Sequence, residues 1–192
     1  DSSMKFLKNI ALALLILTGL AHGPESKAQF LTVDTTAYIE WSDNLYLSWK
    51  DFRFRKQKSK EERGLALTSV THSIRGGIFN DEPRFEVKVL FVKKDSWTTD
   101  STSIALLAHE KLHFDIAELY GRKIRKQISE LHKRGERDLK VYNKYVRQLL
   151  ADFKRFSLNY DKETGHGRDS ERQNEWFELV FSELERLKQY SQ

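Results

Sequence analysis

The chain has 192 residues, with 33 Lys and Arg against 28 Asp and Glu, and no cysteine. A net charge of +5, with acids and bases intermixed, excludes the concentrated basic footprint of a nucleic-acid-binding protein, and no aromatic-interleaved basic strand accompanies it. The missing cysteines exclude a disulfide framework, a lipid-anchored N-terminal cysteine and a thiolate-rich structural zinc site.

Met4-Lys5-Phe6-Leu7-Lys8 is a basic start, Ile10 to Ala21 is mostly apolar, and Ser26-Lys27-Ala28 is a small-x-small cleavage site. Residues 4–28 therefore read as a signal peptide, and the apolar run falls short of the roughly 20 residues of a membrane-spanning helix. The expectation is a periplasmic or secreted protein with no stable membrane anchor after cleavage, whose residues 29–192 form one domain.

Within that domain the character changes once, from strands to helices. Ala37 to Trp41 and Leu45 to Trp49 are short strand candidates, and Lys56 to Arg63 is a charged loop. Leu65 to Ile74 has the β-branched content of a strand, and Phe85, Val87, Val89 and Phe91 repeat with a period of two. Gly76-Gly77 and Asn80-Asp81-Glu82-Pro83 between them predict an antiparallel hairpin. Ser103 to Leu131 reads as one long amphipathic helix, with Ala105, Ala108, Leu112, Ile116, Leu119, Ile124, Ile128 and Leu131 as its apolar stripe. Two more helices follow, Asp138 to Phe156 and Glu171 to Tyr190, the second with a capping box from Ser170 and Gln173. The fold class is α+β: a small antiparallel sheet, then a long metal-site helix, then two C-terminal helices.

The long helix carries His109-Glu110-Lys111-Leu112-His113, an H-E-x-x-H motif. Residues four apart sit about 40° apart around a helix, so both imidazoles leave one face and can share a metal ion. Glu110 lies roughly 100° from His109, beside that face, where a carboxylate can take a proton from a zinc-activated water. Both histidines flank the apolar stripe, which places them at the margin of a core.

A catalytic zinc needs a third protein ligand. On an unbroken helix Glu118 falls about 180° from His109 and Asp115 about 240°, so both face away, whereas Tyr120 returns to roughly 20°. The better candidate is His166, flanked by Gly165 and Gly167 in the loop Tyr160 to Gly167, with Glu118 the alternative if the helix breaks after His113. His72 lies between Val70 and Ile74 on one strand face and reads as a structural, partly buried histidine. Trp41, Trp49 and Trp97 read as core or sheet-capping aromatics.

Trp41-Ser42, Leu47 to Phe52, Ser96-Trp97, Leu106 to Glu118, Tyr160-Asp161 with Glu163-Thr164-Gly165-His166-Gly167, and Trp176 follow one another along the chain. In that order they resemble an uncharacterised bacterial family of secreted zinc-dependent proteases. The resemblance spans nearly the whole mature chain and implies a zincin-like fold and metallopeptidase activity. The expectation is a zinc metallopeptidase in which His109, His113 and His166 hold Zn2+, Glu110 is the general base and Tyr160 stabilises the oxyanion. Its partner is a peptide or protein substrate laid along Phe85 to Val92. The alternatives are a non-catalytic envelope protein with a structural or vestigial metal, and a zinc amidase acting on a cell-wall component.

Overall fold

The hairpin is the centre of the sheet. In the computed structural model, which describes residues 34–56 and 65–191, β4 (Val70–Phe79) and β5 (Glu82–Val92) pair antiparallel from Val70↔Phe91 to Phe79↔Glu82. Asn80 and Asp81 close it with φ of 50° and 62°, the two left-handed residues of a type I′ turn, which matches the right-handed twist of the strands. β1 (Tyr38–Glu40) pairs antiparallel with the end of β5, giving the order β1-β5-β4. A second small sheet joins β2 (Arg53–Phe54), β6 (Trp97–Thr98) and β3 (Ala66–Leu67), with β6 in the middle, parallel to β2 and antiparallel to β3. The expected signal peptide and nearly all of the charged loop lie outside the described residues.

Leu45 to Trp49 is not a strand: the chain instead enters a one-turn 3-10 helix, Trp49–Asp51, whose Asp51 carboxylate accepts from the Ser48 amide. The strand expected over Leu65 to Ile74 is split between the two sheets at Thr68 and Ser69, where Val92 N–H donates to the Ser69 carbonyl. This break sets Thr68 against the helix that carries the H-E-x-x-H motif, and its hydroxyl donates to the Glu110 carbonyl.

Helix α1 (Ile104–Lys133) is continuous through the motif and is capped by Ser103, whose side chain accepts from Leu106 N–H. Its first turn projects beyond the core, so Ala105 and Ala108 are exposed although they continue the apolar stripe. Leu112, Ile116, Leu119, Ile124, Ile128 and Leu131 are buried as expected, each contributing about 1.5–3 kcal/mol. Gly121 lets the helix lie directly on β5, since a Cβ there would come within 2.6 Å of Val89 Cγ2. Glu118 is fully buried, paired to Arg122 and Arg125, whose guanidiniums also donate to the carbonyls of Leu184 and Tyr190. It is thereby committed to tying the C-terminal segment to α1. No helix among the described residues is long and apolar enough to cross a membrane.

α2 (Leu139–Glu163) starts at the Asp138 cap as expected but continues past Phe156 to Glu163. Its buried face, Tyr142, Val146, Leu150, Phe153, Ser157 and Tyr160, keeps helical spacing through one small polar residue. α3 (Ser170–Arg186) is capped by Asp169, not by a Ser170 and Gln173 box, and Gln173 is thereby available for another task.

His72 is 2% exposed, its Nε2 bonded to the Ala117 carbonyl at 2.8 Å and its ring edge-on to Phe153. Burial lowers its pKa from 6.5 to about 4, with the Arg125 charge adding to the effect against that hydrogen bond. Unfolded, the same ring protonates below pH 6.5, so stability is lost as pH falls from about 6.5 towards 4, by about 3 kcal/mol in all. A melting-temperature profile over that window should slope downward with falling pH, and His72→Gln should remove most of the slope.

Candidate metal centre

α1 and α2 bring three donor atoms together. His109 Nε2 lies 3.2 Å and His113 Nε2 3.0 Å from Asp161 Oδ1, and the three ligand atoms are within 4.8 Å of one another. Asp161 belongs to the last turn of α2, not to a loop, and the extension of that helix is what carries it to the histidines. Sequence reasoning passed over it; the signal was Tyr160, which falls two turns beyond Phe153 on the same helical face.

The other ring nitrogens are held. Gln173 Oε1, an acceptor only, takes a hydrogen bond from His109 Nδ1 at 3.0 Å, and Ser157 Oγ bonds His113 Nδ1 at 3.1 Å. Neutral His109 therefore turns a bare lone pair on Nε2 toward a carboxylate oxygen. That contact is repulsive unless a proton or a metal cation lies between the two atoms. Outer partners on Nδ1 with Nε2 left for an ion are the usual arrangement of a metal-binding histidine.

Tyr160 serves this scaffold. Its ring stacks on His109 with centroids 4.6 Å apart, and its hydroxyl donates to Gln173 Oε1 at 2.8 Å and lies 3.1 Å from the His109 carbonyl oxygen. It is fully buried, and burial raises its pKa well above the usual phenol range. The oxyanion role expected of it does not fit, because its one proton is engaged away from any substrate.

Glu110 is 4% exposed and its Oε2 has no hydrogen-bond partner. Burial raises its pKa, with the His113 and His109 charges opposing. Burial would raise Asp161 too, but its hydrogen bonds to both histidines hold it far below the usual carboxylate range. Burial lowers the His113 pKa, yet the hydrogen bond and charge of Asp161 outweigh it and the net shift is upward. Two imidazoles and a carboxylate here could hold a cation, with a second carboxylate, that of Glu110, beside them. In tetrahedral zinc sites, nitrogen and oxygen ligands at about 2.0–2.2 Å stand roughly 3.3–3.5 Å from one another, somewhat farther than the 3.2 and 3.0 Å from Asp161 Oδ1 to the two Nε2 atoms.

His166 stands at the rim. Its Nδ1 is 3.5 Å from Asp161 Oδ1, its side chain is 54% exposed, and it is not among the three clustered donors. Its backbone is left-handed, φ 59°, between Gly165 at 56° and Gly167 at 77°, which costs a non-glycine residue about 1–2 kcal/mol. The loop is fixed by His166 N–H donating to the Asp161 carbonyl and by Gly167 N–H donating to Thr164 Oγ1. Gly167 packs on α1 so closely that a Cβ would lie 2.9 Å from His109 Cβ.

Residues 22–167 match the family described as "Bacterial protein of unknown function (DUF922)". The chain belongs to this family. The family match takes in His109, Glu110, His113, Asp161 and His166, and it stops before Gln173. No curated protein and no solved structure matches the chain.

Proposed function

We propose that the protein is an exported zinc-dependent hydrolase of peptide bonds, with the metal held by His109, His113 and Asp161. The observation that carries this reading is the pair of Nε2 atoms aimed at one carboxylate oxygen, with both Nδ1 atoms already hydrogen-bonded. Zinc at such a site supplies Lewis acidity and lowers the pKa of a water.

Glu110 takes that water's proton and passes it to the departing amine nitrogen. Its unpartnered oxygen is free to accept the proton. A purely structural metal would have no use for a buried carboxylate left unsatisfied, a costly arrangement in a folded chain. Gln173 and Ser157 orient the two imidazoles, and Tyr160 fills the space behind them.

The peptide does not lie along β5. That strand is paired with β4 along its length and with β1 from Leu90 to Val92. On the β1 side its remaining edge is blunted: Trp41 N–H takes the Val89 carbonyl, Arg125 Nε takes that of Val87, and Pro83 has no N–H.

The test is cleavage of fluorescein-labelled casein by the mature chain. Activity should vanish with a chelator and return on adding zinc alone; no cleavage by zinc-loaded protein, or cleavage indifferent to the chelator, would contradict the proposal.

A further inference from the structure

His166 has three properties that do not suit an idle surface residue. Its backbone is held left-handed between two left-handed glycines, although glycine is the residue that adopts this conformation without penalty. The loop is anchored on both sides of it, to the Asp161 carbonyl at 2.8 Å and, through Gly167, against the ring-bearing carbons of His109. The imidazole so positioned is half exposed and its Nδ1 is 3.5 Å from Asp161 Oδ1, next to the donor cluster yet outside it. Strained non-glycine residues that persist at a site point to function there.

On the hydrolase reading above, on which this rests, we infer that His166 is a further catalytic residue. It contacts the reacting carbonyl of the bound peptide from the solvent side of the metal and is not a metal ligand. Exposure fits this role: a ligand is shielded like His109 and His113, whose side chains are 3% and 13% exposed, whereas a residue that meets substrate must remain accessible beforehand. Rigid placement fits it too, since a group acting on developing charge contributes most when it does not have to reorganise.

His166→Gly removes the side chain and the backbone strain together, so the variant should fold with a melting temperature no lower than wild type. It should also keep full zinc stoichiometry. Casein turnover should fall about 100-fold or more, mainly in kcat. His166→Asn, which tolerates the left-handed backbone and keeps a hydrogen-bond donor, should recover part of that loss.

Binding gives a readout independent of turnover. A peptide phosphonamidate, tetrahedral and anionic like the reacting centre, should bind zinc-loaded His166→Gly about 100-fold more weakly than wild type, while a simple hydroxamate, held chiefly by the metal, should change less than about threefold. Loss of zinc from His166→Gly would make the residue a ligand and overturn the inference. Unchanged turnover and phosphonamidate affinity would overturn it as well, leaving the hydrolase reading intact. Zinc-loaded wild type that binds neither compound and cleaves no casein would overturn the hydrolase reading and this role together.

Discussion

Glu110→Gln should bind zinc as tightly as wild type and lose about 10²–10⁴-fold in hydrolysis, the range general-base catalysis supplies. Glutamine keeps the volume of the side chain but cannot accept the proton. The Oε2 atom it replaces has no partner, so no known hydrogen bond is lost there. Because burial raises the Glu110 pKa, the metal-free folded chain disfavours the ionised form. The unfolded carboxylate ionises at its ordinary value, so this group lowers stability as pH rises above that value. Metal-free Glu110→Gln should accordingly lose less stability than wild type as pH rises above the ordinary glutamate range, and melt no lower than wild type at neutral pH. Steady-state kinetics, zinc content and calorimetry on one preparation check all three. Retained turnover would remove Glu110 from the chemistry, and loss of zinc would place it in the coordination shell.

The motif helix was legible because its chemistry lies in five consecutive residues and its packing in one periodic stripe. His109, Glu110 and His113 needed only helical geometry to be grouped, while Glu118 stayed an alternative that required a break after His113; the helix is continuous there, and Glu118 is buried against Arg122 and Arg125. The hairpin was legible from period-two patterning and its turn residues. Asp161 was not, because its relation to His109 is made by two helices meeting 52 residues apart in the chain. Ser157, a polar residue that continues the buried face of α2, hid the last turn of that helix. Gln173 was read as half of a capping box, since local spacing cannot tell a cap from a side chain that reaches another helix. The edge of β5 was misjudged because an interior strand and a substrate-binding edge share the same alternation.

Asp161→Ala should lower zinc affinity by more than the roughly 10–100-fold that follows loss of an outer-shell partner. It removes a charged donor and leaves two neutral imidazoles to hold a divalent cation. His109→Ala and His113→Ala should behave likewise, whereas Gln173→Ala, which frees His109 Nδ1 and the Tyr160 hydroxyl but removes no ligand, should stay within the outer-shell range. Zinc titration against a competing chelator measures each. Equal affinity for Asp161→Ala and wild type would restore His166 as the third ligand.

The most direct measurement is the anomalous scattering of crystals of the zinc-loaded chain at the zinc absorption edge. The proposed zinc site requires one strong peak per chain, bounded by His109 Nε2, His113 Nε2 and a carboxylate oxygen of Asp161, with Glu110 beside it and uncoordinated. A peak coordinated by His166 with Asp161 turned away, or protein that takes up no zinc, would contradict it.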